Sequence, residues 1–217
     1  MPQALIQTGF IQRNRIIYLN GSIDEEKTKM VTLSMLNYEC VDPNSDIVLY
    51  IDSYGGYVDS IFAICDTINM LRCNVATVCV GKAMSAAAII LACGFKGKRF
   101  IPPHSRIMLH ELSSIAFGKL SEIDNDSKEL RRIQLIIDSI VKHKTKLNNK
   151  QIKEFMHGKD RYLSSEEALK FGFIDYIIHK PKDIYSRLVI KDEPSYSLNV
   201  GQVENTVEEK CECDNTK

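Results

Sequence analysis

The chain is 217 residues long, 44% hydrophobic and 26% charged, with a formal net charge of +0. That describes one globular domain with a substantial core and argues against a second full domain. Balanced charge gives no reason to expect nucleic acid or an anionic membrane as partner, and the longest apolar run, Ala86 to Cys93, is far too short to span a bilayer.

The first residues, MPQALIQTGF, lack a basic stretch leading into an apolar one, so no signal peptide is read and a soluble cytoplasmic protein is expected. Arg15 to Gly21 (RIIYLNG) reads as a strand closing in a turn. Asp24 to Cys40 carries helical spacing, with Met30, Leu33 and Leu36 on one side and Val31 with Met35 beside them. VDPNSD is a turn, and IVLYID (Ile47 to Asp52) the next strand. SYGGYVDS leads into a second amphipathic helix with Ile61, Ile64, Cys65, Ile68 and Leu71 on one face. The strand VATVCVG follows, then a small-residue helix from Ser85, then short strands at RFIPP and RIMLHE. Strands alternating with helices at about thirty-residue spacing predict βαβ units and a mostly parallel α/β sheet.

From Gly118 to Leu147, apolar residues recur every three or four positions with charge between them. That predicts a helix of nearly thirty residues, roughly 40 Å long, which either projects toward a partner or lies along its own core. LNNKQIKEFMHG gives a short helix. Ser164 to Glu167 is a capping box opening another, Gly172 stops it, and FIDYII returns as a strand. The domain is expected to run over residues 1–190; from 191 to 217 the chain turns polar and acidic and reads as a disordered tail.

Of the seven cysteines, Cys40, Cys65, Cys73, Cys79 and Cys93 lie in or next to apolar segments and are expected as buried, reduced thiols. Cys211 and Cys213 form a Cys-x-Cys pair in the tail, too few ligands to close a zinc site. His104, His143, His157 and His179 stand in no ligand spacing, so no metal is assigned.

Chemistry centres on Gly81 to Gly94, GKAMSAAAIILACG. Glycine and alanines around one serine let another backbone approach closely. A serine at a helix start also sits beside free N–H groups and the positive end of the dipole, where an oxyanion would be stabilised. Taken alone, Ser85 is a helix N-cap. A serine nucleophile needs a base and an orienting carboxylate. His110 at a strand end and Asp160 before a capped helix are candidates, each with a structural reading of its own: a core histidine and a turn former. There is no GxSxG elbow, which counts against an α/β-hydrolase.

Three stretches together carry a resemblance: IVLYIDSYGGYVDSIFAICDTI, VATVCVGKAMSAAAIILACGFKGKRFIPPHSRIMLH and KDRYLSSEEALKFGFIDYII. The sequence resembles the proteolytic subunit of the Clp protease (ClpP), a self-compartmentalised serine peptidase, in the same order between Arg15 and Ile178. The resemblance implies the βαβ superhelix shared by ClpP and the crotonases, with the long helix as a projecting "handle". By position it implies Ser85 as nucleophile, His110 as general base and Asp160 as the orienting carboxylate. Gly56 and Ala86 match the two main-chain oxyanion donors. Gly55, Tyr57, Val58, Leu112 and Ser113 fall in the segments that hold substrate as an added β-strand. It further implies polypeptide substrates, a heptameric ring with stacking into a tetradecamer left open, an AAA+ unfoldase as optional partner, and no cofactor of the chain's own.

The departures are specific. The family's Ser-Pro-Gly-Gly is Ser-Tyr-Gly-Gly, with Tyr54 for proline, and His-Gln-Pro is His110-Glu111-Leu112. Gly158-Lys159 replaces the acidic-Arg pair that helps couple rings in relatives. DIYSRL at Asp183 to Leu188 resembles a segment that relatives carry at the N-terminus. Tyr54, Leu112 and the short segment before RIIYLNG point toward a specialised paralogue or phage-type processing protease, and Gly158-Lys159 puts the double ring in doubt. Two further readings stay open: a crotonase-like acyl-CoA enzyme, which has no need of the three residues together, and a non-catalytic or partner-dependent ring subunit. Lys82 and Lys98 admit a Ser-Lys dyad, but with His110 and Asp160 present both are read as structural or solvated.

Overall fold

A computed structural model describes residues 14–114 and 118–189; the tail from 191, with Cys211 and Cys213, lies outside them. Seven strands, β1 (Ile16–Ile23), β2 (Ile47–Gly56), β3 (Val75–Met84), β4 (Arg99–Ile101), β5 (Arg106–Leu109), β6 (Arg161–Leu163) and β7 (Tyr176–Ile177), form one sheet. The path β1-β2-β3-β4-β7 is parallel throughout; β5 pairs parallel with β3, and β6 antiparallel with β5. The helices are α1 (Glu25–Val41), α2 (Val58–Met70), α3 (Ala86–Cys93), α4 (Leu120–Lys144), α5 (Asn149–Met156), α6 (Ser165–Phe171) and α7 (Lys182–Tyr185). This is the expected α/β architecture with a mostly parallel sheet.

The period of two along each strand divides the core. On β2, Ile47, Leu49 and Ile51 enter the large cluster with the helices, whereas Val48 joins a smaller rear cluster with Ile16, Ala76, Val78, Phe100, Ile178 and Ile184. α3 is apolar all round and all eight residues are buried, as a central helix must be. Burying Ile89, Ile90 and Leu91 contributes about 1.5–3 kcal/mol each.

The long helix is 25 residues rather than nearly thirty. Its buried residues, Gln134, Ile137 and Val141, all lie in its C-terminal half, and Leu120 at its start is 84% exposed. Arg99 fixes its other end: the guanidinium donates to Lys144 O (2.7 Å) and Ala92 O (3.3 Å), carbonyls that two helix C-termini leave open, and pairs with Asp175 at 2.7 Å. The expected strand FIDYII shrinks to Tyr176–Ile177 because Asp175 turns its carboxylate to Arg99 and to the Gly97 N–H.

Two other expectations change. Cys40 is exposed, not buried, because α1 buries only Val31 and Met35. The stripe Met30, Leu33 and Leu36 faces outward on the same helix. DIYSRL contributes most of α7, whose Ile184 belongs to the rear cluster, and Leu188 just beyond the helix packs against that cluster.

Candidate active site

β3 delivers the serine. Its parallel pairing with β5 runs through Met84↔Met108, and the Ser85 N–H then donates to Met108 O at 2.8 Å. The nucleophile candidate is thereby locked to the strand that ends one residue before His110. Ser85 Oγ and His110 Nε2 are 2.7 Å apart. Ser85 occupies the N-cap position of α3, yet its side chain caps nothing, and its backbone lies at φ 54, ψ −125. A non-glycine residue there is strained by about 1–3 kcal/mol. The helix-cap reading therefore gives way: the hydroxyl is committed to an imidazole, on a turn bent sharply to present it.

β2 delivers the other wall. Gly56 tolerates no side chain, since a Cβ on it would sit 2.0 Å from Ile23 O. The Tyr57 N–H is taken by Ile23 O at 3.0 Å. Peptide groups alternate along a parallel edge, so the Gly56 N–H faces away from β1. The Ala86 N–H opens α3 and has no partner within the helix. Gly56, Ala86, Ser85 and His110 line one cavity of about 170 Å³.

Tyr57, Val58, Leu112 and Ser113 line the same cavity. Gly55 is not on its wall but is buried beneath Ser85. Neither substrate segment is a strand: β2 stops at Gly56, Val58 already begins α2, and residues 111–114 have no ladder partner. An edge segment becomes a strand only when another strand pairs with it.

Asp160 is exposed, and among the described residues no hydrogen bond joins it to His110. The neighbouring sheet register runs toward it. The β5–β6 register runs Ile107↔Leu163, Met108↔Tyr162, Leu109↔Arg161 and ends there, so His110 and Asp160 are the residues that follow β5 and precede β6 at the same end of the pair. Lys82 is no base for Ser85: its ammonium pairs with Asp52 at 2.7 Å, which raises its pKa, and lies 4.3 Å from the Tyr54 ring. Lys98 pairs with Asp46 at 2.5 Å.

Sequence reading missed the apolar wall of the cavity, formed by Ile61, Ile89, Leu109, Ile137 and Met156, and the polar Gln134 among them. Gln134 lies on the helical stripe of Ile133 and Ile137, the one signal that it is buried. Residues 3–181, well over half of the chain, match the family model described as Clp protease.

Proposed function

The chain belongs to the Clp protease family, which gives it a peptidase role, and from that premise we propose that it is a serine endopeptidase acting through Ser85, His110 and Asp160. Ser85 Oγ attacks the scissile carbonyl while His110 Nε2 takes its proton. The negative charge that develops is met by the Gly56 and Ala86 N–H groups, main-chain donors that need no reorganisation. His110 then protonates the leaving amine, the acyl group stays on Ser85, and a water activated by the same imidazole releases it. Asp160 holds the Nδ1–H tautomer of His110. No step calls on a metal or cofactor.

The observation that carries this is the 2.7 Å contact between Ser85 Oγ and His110 Nε2 at the mouth of a cavity lined by both candidate oxyanion donors. Extended polypeptide is the substrate class, recognised by main-chain pairing along Gly56–Val58 and Leu112–Ser113. The apolar wall suits an apolar side chain on the acyl side of the cut bond.

Clp proteases in general are oligomeric and take unfoldase partners. The outward Met30, Leu33 and Leu36 stripe supports assembly with further copies, and we extend the proposal to a cytoplasmic ring chamber. Hydrolysis of an unstructured peptide by wild type, abolished in Ser85→Ala, tests the assignment; unchanged hydrolysis removes it. A second reading rests on Asp160, which lacks a bond to His110 in the single chain: a subunit whose triad closes only on assembly. Peptidase activity that rises steeply with protein concentration distinguishes it. The acyl-CoA reading has no observation in its favour.

A further inference from the structure

The segment after His110 is held by a closed circuit of side chains outside the catalytic groups. The Leu112 N–H donates to Gln134 Oε1 at 2.8 Å, and Gln134 Nε2 donates to Asp138 Oδ1 at 2.8 Å. His157 Nε2 lies 2.9 Å from Asp138 Oδ2, and its Nδ1 faces Glu111 Oε1 at 3.8 Å. Glu111 returns the circuit to the main chain by accepting the Gly158 N–H at 3.1 Å. The circuit thus joins the residue after the base to the turn that precedes Asp160, and both to α4. Gln134 is 7% exposed. Turning its amide over would set an oxygen against the Asp138 carboxylate and a donor against the Leu112 N–H, so both ends are fixed by what they meet.

We propose that Gln134 is a positioning residue for substrate: by accepting the Leu112 N–H it holds residues 111–113 extended along the cavity, with the Ser113 main chain turned toward the peptide. Successive peptide groups of an extended segment point to opposite sides. Anchoring Leu112 on the helix therefore presents the next residue's N–H and C=O to the cavity that Ser113 lines. An unanchored edge would have to be ordered by each substrate, at the expense of affinity. Asp138, His157 and Glu111 hold the anchor itself. The inference rests on Ser85 being the nucleophile of a peptidase.

Gln134→Leu and Gln134→Met both keep the side chain's bulk and remove the acceptor. Each is compared with wild type in cleavage of an extended peptide and in the rate of labelling by a small fluorophosphonate, which reacts with Ser85 but pairs with no strand. One hydrogen bond of this kind is worth about tenfold. For each variant, the loss in peptide kcat/KM should exceed the loss in labelling rate by about that factor, mostly through KM. Peptide cleavage within twofold of wild type, or equal losses in cleavage and in labelling, would overturn the proposal. Wild type that labels nowhere, or at a residue other than Ser85, instead removes the peptidase reading beneath it. Should Gln134→Leu fail to fold, Gln134→Met alone carries the same comparison.

Discussion

Gly55 lies against the back of Ser85: a Cβ on Gly55 would come within 2.7 Å of Ser85 Cβ and 2.8 Å of Met84 O. The end of one strand thus props up the strained turn of the next, and β2 supplies both that support and the adjoining Gly56 amide. Gly55 itself stands at φ 103, a conformation closed to most side chains. Gly55→Ala should cost about 2–4 kcal/mol in urea unfolding, combining backbone strain with overpacking, and should move Ser85 off His110. A variant with wild-type stability and wild-type cleavage would show that the turn holds itself.

Asp160→Asn keeps shape and removes charge. If Asp160 orients His110 as proposed, kcat should fall by about 10²–10⁴ with KM little changed, the pattern of a lost tautomer preference. A loss confined to KM would assign Asp160 to substrate binding.

The apolar wall makes a prediction about sequence preference. Peptides with Leu or Met on the acyl side of the cut bond should exceed those with Asp or Lys by at least about 100-fold in kcat/KM, since an unpaired charge would be buried among Ile61, Ile89 and Ile137. Mass spectrometry of the products of a peptide mixture reads this directly. Equal cleavage after charged residues would place the side chain elsewhere.

Acid stability should depend on Asp175. Burial alone would raise its carboxyl, but the Arg99 hydrogen bonds and charge, with the Gly97 and Arg99 N–H groups, outweigh that and hold it below the usual range. The stabilisation is therefore complete above the ordinary aspartate pKa of about 3.9 and is lost as pH falls below it, through the depressed value. Asp175→Asn should lower stability at pH 7 by roughly 3–5 kcal/mol, because it leaves Arg99 buried without a counter-charge. It should also flatten the acid limb of the stability curve. A limb of unchanged steepness would assign acid sensitivity to other carboxylates.

The buried thiols should be inert. Desolvation pushes Cys79 up to about 12 despite a hydrogen bond from Ser105, and raises Cys65 and Cys73 as well. In the folded protein a maleimide should modify Cys40 and leave Cys65, Cys73, Cys79 and Cys93 untouched until denaturant is added, as peptide mapping would reveal. Modification of Cys79 without denaturant would mean that the sheet opens locally.

Much of this was legible in the sequence because it depends on local rules. The strand–helix alternation, the Ser164–Glu167 capping box and the Gly172 stop are set by neighbours in the chain, and all are found. Ser85 and His110 were readable as candidates, and the sheet register brings them together. What the sequence hid depends on residues far apart. The Leu112–Gln134 bond spans a loop and a helix. The strand expected at Gly56–Val58 stops at Gly56 because Tyr57 caps the helix that starts at Val58. Cys40 sits on a helix whose exposed face carries as much apolar character as its buried one, so periodicity gives no sign of which side meets the core.

The most direct test of Ser85 as a nucleophile activated by His110 is intact-mass and peptide-level analysis after reaction with a fluorophosphonate, on wild type and His110→Ala. One adduct per chain on Ser85 in wild type, at a rate lost by about 10³-fold or more in His110→Ala, is the predicted result. An adduct on another residue, or equal rates with and without the imidazole, would contradict it.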